Sequence, residues 1–114
     1  MLFTERIKQL REERQIPQRK LAAVLDIDTA TYCKYEKGER RPKREQVVTI
    51  AELLQADEKE LLSLWLADQV AAVVADEKEI ADKVLDIAKQ SINKDNTYEV
   101  KSYKTNIRRK YSVV

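Results

Sequence analysis

Apolar side chains recur along this chain at spacings of three and four residues, the pattern of helices that bury one face. Phe3, Ile7 and Leu10 predict a first helix over Thr4 to Arg14, with Thr4 as its N-cap. A second starts near Pro17, where a missing N–H costs nothing, and turns Leu21, Ala22, Val24 and Leu25 inward. Asp28 reads as the cap of a third helix whose inward positions are Tyr32 and Tyr35, and Gly38 as its stop. After Pro42, the run Val47, Val48, Ile50, Ala51, Leu53 and Leu54 predicts a buried fourth helix. The segment Ala-Asp-Glu-Lys-Glu-Leu at 56–61 returns as Ala-Asp-Glu-Lys-Glu-Ile at 75–80. In each copy the Asp can cap a helix and the Glu three residues on can reach back. A fifth helix is therefore expected from Asp57 to about Val74, and a sixth from Glu77 to about Ile92.

Asn-Lys-Asp-Asn-Thr at 93–97 has the composition of a linker. Beyond it, Tyr98, Val100, Tyr103, Ile107 and Tyr111 are scattered among Lys and Arg without a sustained period. That suits a flexible basic tail or a short strand that pairs only in context. The expected organisation is all-α: a five-helix block (1–66), a helical extension (67–92) and a basic tail (93–114).

Charge changes this picture more than composition does. The net charge is only +2, yet residues 1–44 hold 12 Lys/Arg against 7 Asp/Glu, and residues 45–93 hold 4 against 11. A basic N-terminal block attracts phosphates while an acidic middle is held away from them. The single Cys, Cys33, can form no internal disulfide, which fits a reducing cytoplasm. With no His there is no His-based catalysis and no Cys/His zinc site, and no nucleophile stands with a recognisable base. An enzyme is not expected, nor a cofactor, metal or small-molecule ligand. No apolar run approaches the length of a membrane span.

The densest information lies between Gln18 and Pro42, where two short helical patterns meet at a turn near Asp26. Such a pair can set its second helix into the major groove of DNA. Residues 3–66 resemble the helix-turn-helix domain of the lambda repressor and Cro (Xre) family. The resemblance rests on Gln18-x-x-Leu21-Ala22 followed by Tyr35-Glu36-x-Gly38-x-x-x-Pro42, with Ile7, Leu10, Arg11, Ile16, Leu25, Ile27, Tyr32, Ile50, Ala51, Leu54 and Leu61 in step. The chain departs from the family pattern at Asp26, where the turn usually has Gly, and at Pro17, where the second helix usually has a Ser or Thr cap. Asp tolerates the left-handed conformation better than most residues.

The resemblance implies a five-helix fold and a partner, double-stranded DNA. It assigns Thr29, Ala30 and Lys34 to base edges, with Thr31 a further candidate. Thr29 would hydrogen-bond, Ala30 would pack on a thymine methyl, and Lys34 would reach guanine acceptors. Gln18, Arg40, Arg41, Lys43 and Arg44 would hold phosphates, joined by Arg19 and Lys37, which equally suit solvated helix positions. Arg11 and Glu36 resemble the family's internal ion pair. Tyr32 and Tyr35 read as core, and Cys33 as a small, half-exposed helix residue.

Val70, Val73, Ile80, Val84 and Ile87 follow a heptad-like spacing with Glu77 at the missing position. The stripe is either a homodimer seam or a face that folds back on the five-helix block. A dimer would read two half-sites of a palindrome. The stretch Leu64-Trp65-Leu66-Ala67-Asp68-Gln69-Val70, with Asp28 to Lys34, also resembles small controller proteins of restriction-modification loci. A transcription regulator is the leading expectation. A DNA-binding antitoxin is the alternative, and an adaptor that uses the fold without touching DNA stands behind both.

Overall fold

The structure is a computed structural model that describes residues 1–94. All regular elements among these residues are helices: α1 (Leu2–Glu13), α2 (Gln18–Leu25), α3 (Thr29–Lys37), α4 (Arg44–Leu54), α5 (Glu58–Val73) and α6 (Ala81–Lys94). The chain divides into two compact units at Val73–Val74, later than the boundary expected at residue 66 because α5 runs unbroken to Val73. The expected tail at 93–114 lies outside the described residues except Asn93 and Lys94, which extend α6 past its expected end.

In the first unit, α5 packs against α1 and α4, α2 packs on α3, and α1 lies across α3 and α4. Ile7, Leu21, Tyr32, Val47, Ile50, Leu54 and Leu61 are wholly buried where these helices meet. At about 1.5–3 kcal/mol per large apolar side chain, this cluster is the main source of the unit's stability.

The starts and stops of the helices show which local expectations survive. Thr4 does not cap α1, which begins two residues earlier. Its hydroxyl donates to the Met1 carbonyl at 3.0 Å, within the first turn. The cap comes from α5: the Asp68 carboxylate accepts from the Leu2 and Phe3 amides at 3.0 and 2.9 Å. A carboxylate there satisfies two orphan donors and meets the positive end of the helix dipole. Pro17 precedes α2 without a side-chain cap, as its chemistry requires. Asp26 ends α2 in the left-handed region at φ 58°. Gln15 and Gln55 end α1 and α4 in the same conformation, so a chain with one glycine makes three of its helix stops from larger residues.

The two Asp-Glu copies diverge. The first introduces α5, but Glu60 turns to Arg6 of α1 at 3.3 Å instead of reaching back. The second starts no helix. Residues 74–80 form successive turns, with Glu77 N–H on the Val74 carbonyl and Ile80 N–H on that of Glu77. These short bonds consume the amides, and α6 begins only at Ala81 instead of Glu77. The heptad-like spacing is therefore not carried by one continuous helix. Val70 and Val73 are exposed residues of α5, in the first unit. Ile80, Val84 and Ile87 belong to the second unit, where Ile80 and Ile87 are exposed and Val84 is half-buried.

Candidate nucleic-acid interface

The third helix is held at both ends and along one face. The Asp28 side chain accepts from the Thr31 amide at 2.7 Å. That bond holds the Asp28 carboxyl below its ordinary range, with Lys34 and Arg40 adding to the effect. At the other end Gly38 adopts φ 78°, and the Glu39 amide returns to the Lys34 carbonyl at 2.9 Å. A side chain here would be strained and would place its Cβ 2.7 Å from the Met1 sulfur. The inward face carries Tyr32 and Tyr35, packed edge to face with ring centres 6.2 Å apart. The Tyr35 hydroxyl donates to the Gln46 carboxamide of α4 at 3.0 Å, and the same oxygen accepts from the Lys43 amide at 2.8 Å. One Gln side chain thus ties α3 to the start of α4.

Glu36 is the most heavily bonded residue of the helix. Arg11 grips its carboxylate through Nε at 2.6 Å and Nη2 at 3.1 Å, and uses Nη1 on the Ile16 carbonyl at 3.0 Å. Burial alone would push the Glu36 carboxyl up. Hydrogen bonds from Arg11 and Gln18 outweigh it and hold the group below its ordinary range, so it is ionised at neutral pH. The expected ion pair between α1 and α3 is therefore present, with both partners largely shielded from solvent.

Gln18 departs from expectation. Its Nε2 donates to Glu36 at 2.9 Å, and its Oε1 accepts from the Cys33 thiol at 3.0 Å. The carboxamide oxygen and one of its N–H donors serve the interior, which leaves one N–H for a phosphate. Cys33 has a larger part here than its place in the sequence announces. It lies four residues from Thr29 and three from Ala30, on their side of the helix, and it fixes Gln18 from there.

With Tyr32, Tyr35 and Glu36 turned inward, α3 presents Thr29, Ala30, Lys34 and Lys37 to solvent, while Thr31 is half-buried. Arg40, Arg41, Lys43 and Arg44 follow in the loop and at the start of α4, all exposed, and Arg19 is exposed on α2. Among the described residues none of these seven Lys and Arg side chains has a carboxylate within ion-pair distance. Arg40, Arg41 and Lys43 border a shallow depression with Asp28, Thr31 and Gln46, so helix and loop share one basic surface. The loop is pinned from below, where the Trp65 indole N–H of α5 donates to the Pro42 carbonyl at 3.0 Å. Trp65 and Gln46 set the position of this surface, and no spacing in the sequence links either of them to it.

This arrangement places a helix held on its inner face, with short side chains at its leading end, Thr29 and Ala30, beside cations that form no ion pair among the described residues. A helix of this kind fits a major groove, and cations on its flank fit the adjoining phosphates. Among the described residues no helix is long and apolar enough to cross a membrane.

Comparison with known proteins agrees with this geometry. Residues 2–64 match a helix-turn-helix domain model. The chain is similar to the cryptic phage CTXphi transcriptional repressor RstR of Vibrio cholerae, 36% identical over 62 residues that cover 54% of this chain and 56% of the relative. The form from Vibrio cholerae serotype O1 is 33% identical over 69 residues, covering 60% and 62%. The chain thus aligns with somewhat more than half the length of these curated relatives. No solved structure matches significantly. The domain match spans more than half of the chain and contains every residue expected above to face bases or phosphates; the chain belongs to the helix-turn-helix domain family.

Proposed function

We propose that this protein is a transcription regulator that binds duplex DNA in a sequence-dependent way, acting in the cytoplasm as a homodimer on a palindromic site. The observation that carries the reading is the contrast on α3. Its inward residues are locked by Arg11, Gln18 and Gln46, while Lys34, Lys37 and the Arg40–Arg44 cations have no ion-pair partner among the described residues. Thr29, Ala30 and Lys34 would meet base edges, and Arg40, Arg41, Lys43 and Arg44 the backbone, with Arg19 and Lys37 beside them. Two copies are part of the reading because one helix spans only a few base pairs.

The named relatives are phage repressors, which favours repression as the regulatory outcome. Control of a restriction-modification locus is the narrower alternative. It draws on the segment around Trp65 and Asp68, whose Trp and Asp have structural work in the first unit, so that segment adds little to it.

The test is binding to duplex DNA selected from a random pool, titrated with salt. A dimer that neutralises on the order of 6 phosphates should lose roughly a thousandfold in affinity between about 50 and about 200 mM salt. Affinity that stays flat over that range removes the proposed surface from the DNA.

A further inference from the structure

Gln46 of α4 uses only one end of its carboxamide inside the protein. Its Oε1 accepts from the Tyr35 hydroxyl at 3.0 Å and from the Lys43 amide at 2.8 Å. A backbone N–H can only donate, so the atom it meets is the oxygen, and both lone pairs of that oxygen are taken. The planar amide then sets Nε2 on the opposite side, with N–H donors that bond to nothing among the described residues. Gln46 is half-buried, and Nε2 is open to solvent.

The surroundings say what those donors can serve. Gln46 lines the shallow depression that Asp28, Thr31, Arg40, Arg41 and Lys43 border. Its cations outnumber its one carboxylate, and Asp28 already accepts from the Thr31 amide at 2.7 Å. With its oxygen occupied, Gln46 can offer an occupant of the depression only hydrogens. The occupant must therefore accept hydrogen bonds and suit a basic surface. A phosphate oxygen meets both conditions, and a neutral base edge meets only the first. We infer that Gln46 donates through Nε2 to a phosphate of the DNA backbone lodged beside the loop between α3 and α4. This rests on the DNA-binding reading above and adds a neutral donor to the cations assigned there. One side chain then has two tasks: its oxygen ties α3 to the start of α4, and its nitrogen meets the backbone that the loop cations attract.

The test uses the full chain and a duplex selected from a random pool, with one backbone phosphate at a time replaced by a neutral methylphosphonate. Gln46→Glu keeps an oxygen for Tyr35 and Lys43 and exchanges the donor for a second carboxylate oxygen. It should bind the unmodified duplex roughly tenfold or more weakly. At one phosphate of a half-site, methylphosphonate should weaken the wild type severalfold and leave Gln46→Glu unchanged or more tightly bound. A purely structural role would single out no phosphate, so a variant with the wild-type penalty at every position overturns the inference. The wild type gives a second check that does not depend on how the variant folds. The carboxamide N–H signals of Gln46, followed by heteronuclear NMR, should move when the duplex is added and stay in place with inorganic phosphate at the same ionic strength. Signals that ignore the duplex, or that inorganic phosphate moves as far, overturn the inference as well. A wild type that binds no duplex overturns the DNA-binding reading itself, whereas the other contrary results overturn only the part given to Gln46.

Discussion

On one face of α3, Glu36 accepts from Arg11 and Gln18, Tyr35 donates to Gln46, and the Tyr32 ring is wholly enclosed. On the other, Thr29, Ala30, Lys34 and Lys37 stand in solvent, and neither lysine has a carboxylate partner among the described residues. The same nine-residue helix is therefore over-determined inside and unsatisfied outside. The inner bonds fix the rotation of the helix about its axis, and that rotation decides which side chains can reach a groove. Neutralising internal pairs on the outer face would have added little stability and would have removed the cations that a polyanion needs.

The largest effect is expected at Glu36. Glu36→Ala leaves the Arg11 guanidinium largely shielded and without its carboxylate, and should cost about 3–5 kcal/mol in denaturant unfolding. The proposed DNA binding should fall with it even though Glu36 lies on the inward face of α3. The same residue predicts an acid dependence. Its folded carboxyl titrates below the ordinary value of 4.5, so its contribution is whole above that pH and is lost as pH falls through the lowered value. Glu36→Gln should flatten that part of the stability profile; an unchanged acid limb would mean that other carboxylates carry it.

Trp65→Phe should have a smaller effect, on the loop beyond α3. An aromatic ring smaller than the indole is kept and the donor to the Pro42 carbonyl is lost, for about 1–3 kcal/mol in stability. Because the loop beyond α3 carries Arg40, Arg41 and Lys43, affinity for DNA should drop several-fold while the selected sequence stays the same. A changed sequence preference would mean that Trp65 also sets the orientation of α3 itself.

Legibility in the sequence followed the range of the interactions. Asp28, Asp26 and Gly38 act on the backbone within a few residues of themselves, so their chemistry announces the turn and the limits of α3. Apolar spacing likewise located the buried faces of α1 to α4, except at Val24, which was expected inward and is 49% exposed on α2. The cap of α1 was not readable, because Asp68 lies 66 residues away from Leu2 and only the packing of α5 on α1 brings it there. Gln15 and Gln55 end helices in a left-handed conformation that Gln does not advertise. The second Asp-Glu copy matches the first in sequence, yet turns at 74–80 take its place, so the signal was permissive and not sufficient. In the interface, residue type and helical phase identified the outward side chains. The diversion of Gln18 to Glu36 and Cys33 depends on three elements meeting, which no local pattern encodes.

In the proposed function the outer face of α3 reads bases while the cations beyond it hold phosphates. Selection of bound sites from random duplex DNA, run in parallel on the wild type, Lys34→Ala and Arg41→Ala, tests it most directly. Lys34→Ala should bind the wild-type site roughly tenfold or more weakly and lose preference at one position of each half-site. Arg41→Ala should recover the wild-type sequence, bind all sequences more weakly, and lower the salt slope by about one for each phosphate no longer neutralised. If Lys34→Ala selects the same sequence with undiminished preference at every position, the outer face of α3 does not read the bases.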